Sequence, residues 1–167
     1  YPAGKTGANY NIPDGVTSIG DLAFALCFRL KSITLGNSVT SIGQNAFAAC
    51  TILKSITIPD SVTSIGKGAF QRTALTTIEV GTGNVNYTDV NGVLFNKEKT
   101  ELHTYPAGKT REEYTIPDSV NSIGASAFAA CTILTSITIP DSVTSIGSGA
   151  FNWCMSLTTI TIPDSVT

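Results

Sequence analysis

Residues 58–66 read Ile58-Pro59-Asp60-Ser61-Val62-Thr63-Ser64-Ile65-Gly66, and the chain repeats this stretch several times. Close or truncated copies of it begin at Ile12, Leu35, Ile116, Ile139 and Ile162. From Ile12 to Leu35, and again from Ile116 to Ile139, the step is 23 residues. Self-similarity at a fixed period of about 20–50 residues is typical of an array of stacked structural units. The repeat therefore predicts a solenoid.

The aligned copies share the pattern Leu-x-x-Ile-x-Ile-Pro-Asp-Ser-Val-x-x-Ile-Gly-x-x-Ala-Phe-x-x-Cys. Residues 54–58 alternate polar and β-branched apolar residues, which predicts a half-buried strand with Ile56 and Ile58 pointing inward. Pro59 ends that strand because proline has no N–H to donate. Residues 68–70 fit one turn of α-helix or 3₁₀-helix. We therefore predict a leucine-rich repeat solenoid of right-handed coils, with a parallel β-sheet on the concave face and short strands or 3₁₀ turns on the convex side.

Stacked coils place equivalent residues in columns. Burying such columns stabilises the fold only when neighbouring coils cover each other. One predicted column is aromatic and consists of Phe24, Phe47, Phe70, Phe128 and Phe151. A second consists of Ile19, Ile42, Ile65, Ile123 and Ile146.

The repeat breaks once, between Val80 and Ile116, where the step grows to 36 residues. Two short strand patterns flank a polar turn within residues 92–102, which predicts a β-hairpin. The hairpin edge carries Lys97, Glu98 and Lys99. It is a candidate contact surface, because irregular insertions in solenoids often lie on one face, although a simple solvated turn explains it better.

The whole chain, residues 1–167, is predicted to form a single leucine-rich repeat domain with an irregular, hairpin-containing repeat at about 81–115. Residues 1–63 match residues 105–167 at 40 of 63 positions, so a larger unit of 104 residues also repeats. Neither end resembles the polar cap that a solenoid requires. We therefore expect a segment of a longer array whose uncapped end coils can associate end to end.

Charge is scarce in this chain. Charged residues make up 13% of it, the net charge is −2 and the calculated pI is about 5.2. This balance gives no electrostatic reason to bind nucleic acid. No apolar run approaches the roughly 18 residues that a membrane span requires, so no membrane insertion is expected.

Candidate chemistry is sparse, so no enzyme, cofactor or metal site is predicted. His103 is the sole histidine, and aligning the Tyr105-Pro106 pair with the Ile-Pro of residues 58–59 places it at an inward, packed or edge position. A catalytic triad needs a positioned base and a group that orients it. Gly108-Lys109-Thr110 resembles the end of a phosphate loop but lacks its first glycine.

Two further columns of equivalent residues are candidate ligand sites. The thiols of Cys27, Cys50, Cys131 and Cys154 share one position in the repeat. Their parallel Cβ directions fit a cross-link poorly, so small buried thiols are expected. The carboxylates of Asp14, Asp60, Asp118, Asp141 and Asp164 share another position, where a role in the turn explains them better than calcium binding.

The outward residues of the predicted sheet form a polar and nearly uncharged surface. Its members are Ser32, Thr34, Ser55, Thr57, Thr77, Glu79, Ser136, Thr138, Thr159 and Thr161. Threonine favours strands and pairs across them, which accounts for these rows without a ligand. The same rows could also contact a partner protein through side-chain hydrogen bonds.

The motifs Ile-Pro-Asp-Ser-Val-Thr-Ser-Ile-Gly and Ala-Phe-x-x-Cys closely resemble those of the BspA-like leucine-rich repeat proteins, surface proteins of bacteria and some parasitic protists. The resemblance covers nearly the whole chain. It implies an extracellular, cell-surface, non-enzymatic module that adheres to proteins such as the host matrix proteins fibronectin and fibrinogen. The alternative is a structural spacer, since residues 38–66 and 119–147 agree at 25 of 29 positions and leave little sequence to encode an epitope.

Overall fold

The computed structural model describes residues 8–167, which form about seven turns of a parallel-strand β-solenoid. No helix occurs within this range, and the predicted leucine-rich repeat solenoid is confirmed. The strands are β1 (Asn9–Asn11), β2 (Ser18–Ile19), β3 (Ser32–Thr34), β4 (Ser41–Ile42), β5 (Ser55–Ile58), β6 (Ser64–Ile65), β7 (Thr77–Val80), β8 (Tyr87–Val90), β9 (Val93–Asn96), β10 (Glu101–Thr104), β11 (Glu113–Thr115), β12 (Ser122–Ile123), β13 (Ser136–Thr138), β14 (Ser145–Ile146) and β15 (Thr159–Ile160).

Each regular coil contributes one strand to each of two rows. The first row contains the parallel pairs β1–β3 and β5–β7 and the parallel trio β11–β13–β15. The second row contains the parallel trios β2–β4–β6 and β10–β12–β14, whose members have two residues each except for the four-residue β10. Register follows the sequence period: Ser32 pairs with Asn9 and Ser136 with Thr159, each 23 residues apart.

The predicted core columns are confirmed. Phe24, Phe47 and Phe70 stack with ring centroids 5.2 and 5.7 Å apart. Phe128 and Phe151 continue the column at 5.4 Å. The inward isoleucines of β5 are buried, while the alternating serine and threonine face solvent. Offset stacking of this kind stabilises aromatic pairs beyond the area they bury.

The segment around Gly68 forms consecutive hydrogen-bonded turns where a helical turn was predicted. Gly68 and Arg72 both have left-handed backbone angles, with φ of +63° and +57°. The other regular coils repeat these angles at the equivalent positions, for example in Asn45 and Ala49. The N–H groups of Asn45 and Ala49 each donate to a carbonyl of the next coil, so these angles serve the contact between coils. A left-handed residue interrupts any helix.

The irregular repeat is a three-stranded antiparallel meander. The predicted hairpin is present, since β9 pairs with β10, and β8 adds a third strand on the far side of β9. β10 then returns to the regular pattern by pairing in parallel with β12. The buried residues separate into two clusters at this point: Leu94 packs with the first and its neighbours Val93 and Phe95 pack with the second.

Tyr105 corrects the alignment that the sequence suggested. Its ring stacks on Phe128 at 5.3 Å and its N–H donates to Ala127, as Phe47 donates to Ala69. Tyr105 therefore belongs to the aromatic column, and the earlier match of its dipeptide with the Ile-Pro of the repeat is wrong.

Candidate binding surfaces

The residues predicted as a partner surface lie side by side on the first row of strands. Nine of them belong to β3, β5, β7, β13 and β15, and Thr161 follows directly after β15. Eight of the ten are exposed, whereas Thr77 and Ser136 are half-buried. The meander divides the surface, since the end of the β8–β9 turn lies against β7, where the Ile78 N–H donates to the Gly92 carbonyl at 3.0 Å.

Strand register adds members that the Ser/Thr pattern did not reveal. Asn9 and Asn11 pair with Ser32 and Thr34, and Glu113 and Thr115 pair with Ser136 and Thr138. Their coils lack the Ser-Ile-Thr sequence that marks the other strands. A period count from the conserved proline could have found them. The first row therefore presents amides and carboxylates as well as hydroxyls.

Hydroxyl groups in the turns and in the first row have different partners. Thr40, Thr63 and Thr144 each donate to a backbone carbonyl of the preceding coil at 3.0–3.2 Å. In the first row, Ser32 donates to Asn9 and Thr57 to Glu79, both side-chain partners on the same face. The hydroxyls of Thr34, Ser55, Thr138, Thr159 and Thr161 have no hydrogen-bond partner among the described residues. These row hydroxyls are exposed donors and acceptors.

The serine of the repeat motif is structural. Ser61, Ser142 and Ser165 each donate to a valine carbonyl one coil earlier, at 2.7 Å in every case. In the irregular repeat Asn84 takes this place, is fully buried, and donates to the carbonyls of Pro59 and Val62.

The predicted hairpin edge is exposed but well ordered by hydrogen bonds. Lys97, Glu98 and Lys99 lie in the turn between β9 and β10. The Asn96 side chain accepts the N–H groups of Thr100 and Glu101 at 2.8 Å. The Lys97 ammonium donates to the Asn84 carbonyl at 2.6 Å. Lys97 is thus partly held by the fold, and Glu98 and Lys99 are the freer charges.

His103 lies in a polar cleft of about 550 Å³ in the second row, where the meander meets β6. Its Nε2–H donates to the Ile65 carbonyl at 3.3 Å, and its Nδ1 accepts from Thr104 Oγ1 at 2.9 Å. The Tyr87 hydroxyl accepts the Ile65 N–H at 2.9 Å and its ring packs edge-on against the imidazole. Burial lowers the pKa of His103, although the Ile65 carbonyl and nearby Glu101 act in the opposite direction. The ring completes the open edge of β6.

The four cysteines are free thiols, of which Cys27, Cys50 and Cys131 are buried and Cys154 is half-buried. Cys50 and Cys154 each donate to a phenylalanine carbonyl of the preceding coil at 3.1 Å. Burial raises the pKa of Cys50 to about 12. In the shortened coil Thr73 takes the same place and donates to Phe70.

The aspartates of the repeat are exposed, and Asp60 accepts the N–H of Gly83. Within residues 8–167 no group of three or more His, Cys, Asp or Glu side chains converges on a possible metal position. Over the same range, no helix is long and apolar enough to cross a membrane.

Comparison with known proteins places this repeat in a family. Residues 6–111 and 98–167 match the family described as BspA type leucine rich repeat region, in six copies. The chain belongs to the BspA-type leucine-rich repeat family. Leucine-rich repeat domains generally mediate protein interactions and are typically non-enzymatic.

Three solved structures show the same fold. The pneumococcal vaccine antigen PcpA is 29% identical with a TM-score of 0.88, and the match covers 95% of this chain and 40% of that one. A leucine-rich cell surface protein of Faecalibacterium prausnitzii is 33% identical with a TM-score of 0.76, over 95% and 48% of the two chains. The T. pallidum leucine-rich repeat protein is 28% identical with a TM-score of 0.57, over 92% and 68%.

This BspA-type chain therefore spans less than half the length of the first two structures that it matches. Among curated protein sequences, no significant match is found.

Proposed function

We propose that this BspA-type array is a non-enzymatic module of a cell-surface protein that binds a partner protein through its first row of strands. The observation that carries the proposal is the contrast between hydroxyls of one chemical type. The Thr144 hydroxyl in a turn bonds to the preceding coil, whereas the Thr138 hydroxyl on the row is exposed and has no hydrogen-bond partner among the described residues. Side chains that the fold does not use remain available for hydrogen bonds to a partner.

A position outside the cell is supported by similarity to the F. prausnitzii cell surface protein and by the family. Host matrix proteins such as fibronectin and fibrinogen are the proposed partners, as the family resemblance implies. An interface of this kind would be polar and wet. About one hydrogen bond per 100–200 Å² of buried surface is usual in protein interfaces.

Binding of the chain to immobilised fibronectin and fibrinogen tests the proposal, with a coil-scrambled chain as the control. We expect saturable binding that survives moderate salt, because the row is nearly uncharged and its contacts are weakly screened. A double replacement, Thr138→Ala with Thr34→Ala, should weaken binding. Equal binding by the scrambled control would refute the proposal.

The hairpin edge is the second proposed contact. Charge reversal at Lys97 and Glu98 separates the two surfaces, since it alters the turn and leaves the row untouched. Loss of binding in this variant alone would move the interface to the hairpin. Because the Lys97 ammonium bonds to Asn84, thermal unfolding of the variant must be measured alongside.

A structural spacer is the second candidate function, and the regular hydrogen bonds between neighbouring coils favour it. Ser61, Ser142 and Ser165 make the same 2.7 Å bond in three different coils, which joins neighbours identically along the array. A spacer would bind no partner through either surface, and hydroxyl removal on the row would change nothing. End-to-end association of the chain likewise stays a proposal, which light scattering at increasing concentration tests.

A further inference from the structure

The first row of strands is interrupted where the meander meets β11, and the interruption forms a cleft of about 400 Å³. Val90 and Val93 of the meander line one side, and Tyr114 of β11 lines the other. Within the described range β11 pairs only with β13, so its second edge borders this cleft without a strand partner. An unpaired strand edge is a ready template for an extended peptide.

Tyr105 provides the second observation. It lines the cleft with 2% of its surface exposed, and its hydroxyl is the one buried side-chain polar atom without a hydrogen-bond partner among the described residues. Tyr114 meets its ring edge-on at 4.7 Å. Buried hydroxyls nearly always have partners, and an unpartnered one in a cleft points to a ligand group. The two rings also give the cleft an apolar wall.

Two cations stand at the mouth of the cleft. Lys109 is held by a 2.7 Å bond from its ammonium to the Asn91 carbonyl, and Arg111 is exposed. Burial and the neighbouring guanidinium of Arg111 both lower the pKa of Lys109, while Asp89 raises it. The two cations therefore repel each other, and an anion placed between them would relieve that repulsion. Glu113 also lines the cleft, and its carboxylate limits where the anion can sit.

The arginine is not a requirement of the repeat. The larger 104-residue unit places Gly7 in the first copy where the second has Arg111, and Asn9 where the second has Glu113. Both copies keep the Tyr-Pro-Ala-Gly-Lys phrase that precedes these positions. The charges of Arg111 and Glu113 are therefore specific to the second copy of this unit.

We propose that this cleft binds an acidic side chain of a partner protein, presented by an extended segment with an apolar neighbour. The guanidinium of Arg111 and the ammonium of Lys109 hold the carboxylate, because a carboxylate accepts two parallel N–H bonds from a guanidinium. The apolar neighbour packs on the ring of Tyr114, the Tyr105 hydroxyl donates to a carbonyl of the peptide, and the peptide backbone extends along the free edge of β11. This inference rests on the proposed function in one respect, that the ligand is a protein.

The test uses the 167-residue chain and a synthetic peptide, acetyl-Gly-Ser-Leu-Glu-Leu-Ser-Gly-amide, with the Gln-for-Glu peptide as its uncharged match. Amide chemical shifts are followed by NMR as peptide is added. We expect saturable shifts confined to residues 90–93 and 105–117, and much weaker binding of the uncharged peptide. Arg111→Gln should weaken binding about tenfold, the usual effect of losing a charged hydrogen-bond partner.

Arg29→Gln is the matched control, since Arg29 is exposed in the first coil and lies outside the cleft. It should leave affinity unchanged, and both variants should unfold at the temperature of the parent. Equal affinity for the two peptides, or an Arg111→Gln variant that binds as the parent does, overturns the proposal. An oligogalacturonate that shifts these amides when the peptide does not also overturns it, in favour of an acidic polysaccharide.

Failure here differs from failure of the proposed function. If the chain binds fibronectin or fibrinogen and Arg111→Gln has no effect on peptide binding, the proposed role of the first row is supported and the cleft proposal is refuted. If the peptide binds in the cleft and neither matrix protein binds the chain, the proposed adhesion to matrix proteins is refuted and the cleft proposal is supported.

Discussion

Regular coils and the irregular repeat join their neighbours through different atoms. Between regular coils, backbone groups and the Ser and Thr hydroxyls of the turns make the same bonds at the same positions, as Ser61 and Ser142 do. Across the irregular repeat, the side chains of Asn84, Tyr87 and His103 reach back to the preceding coil instead. This substitution of side chains for backbone accompanies the cleft beside His103 in the second row and the cleft beside β11 in the first.

The largest expected effect tests the aromatic column that both regions share. Phe128 is fully buried between Tyr105 and Phe151, so Phe128→Ala should lower the free energy of unfolding by about 3–5 kcal/mol. Phe151→Ala, at a half-buried position, should cost less. Urea unfolding followed by circular dichroism measures both. Equal losses would show that coverage by neighbours does not decide stability in this array.

The next largest effect compares one structural position in the two regions. Asn84 donates to two carbonyls and its Oδ1 accepts the N–H groups of Asn86 and Tyr87 at 2.9 and 2.8 Å. Asn84→Ala removes all four of these bonds at a buried position and should cost roughly 2–4 kcal/mol. Its counterpart Ser142 makes one bond, so Ser142→Ala should cost about 1 kcal/mol. A smaller loss at Asn84 than at Ser142 would contradict this account of the irregular repeat.

A pH dependence of stability should come from His103 in the irregular repeat. Its folded pKa lies below the value of about 6.5 for an unfolded histidine, so the unfolded chain binds the proton more readily. The resulting stability is present above pH 6.5 or so and is lost as the pH falls through the folded pKa. Urea unfolding at several pH values should show a steeper acid loss for the parent than for His103→Gln. Parallel curves would exclude histidine as the cause.

The smallest effect separates the two kinds of threonine. Thr144→Ala removes a bond to the Asn121 carbonyl and should cost about 0.5–1 kcal/mol. Thr138→Ala removes an exposed hydroxyl without a described partner and should stay within about 0.5 kcal/mol of the parent. Thermal unfolding of both variants checks the difference. A destabilising Thr138→Ala would mean that the row serves the fold, which would weaken its proposed role in binding.

The sequence predicted the regular coils well because one period sets the strand, the turn and the buried columns together. Ile56, Ile58 and Phe47 are buried as their positions in the repeat require. The irregular repeat was harder to predict, since Tyr87–Val90 lacks the alternation that marks a half-buried strand. The proline after Tyr105 suggested the wrong alignment, because ring stacking on Phe128 rather than the proline fixes its position.

The two candidate binding surfaces differ in the same way in how far the sequence could predict them. The exposed row follows from alternation along each strand, so Thr34 and Thr57 could be predicted. The cleft beside β11 could not, since it depends on where the meander crosses the array and on which strand edge it leaves open. Lys109 and Arg111 are close in sequence, yet only the fold places them beside Tyr105.

The contact between β6 and the irregular repeat also has a mechanical consequence. Bonds between coils run along the axis of the array, so tension along that axis pulls on each layer of bonds in turn. Between β4 and β6 the layer consists of backbone pairs. Beyond β6, the Ile65 N–H and carbonyl are held by a phenol and an imidazole on flexible side chains. In a stretched array the second row of strands will open at that layer first, while the four paired residues of β5 and β7 still join the two coils in the first row.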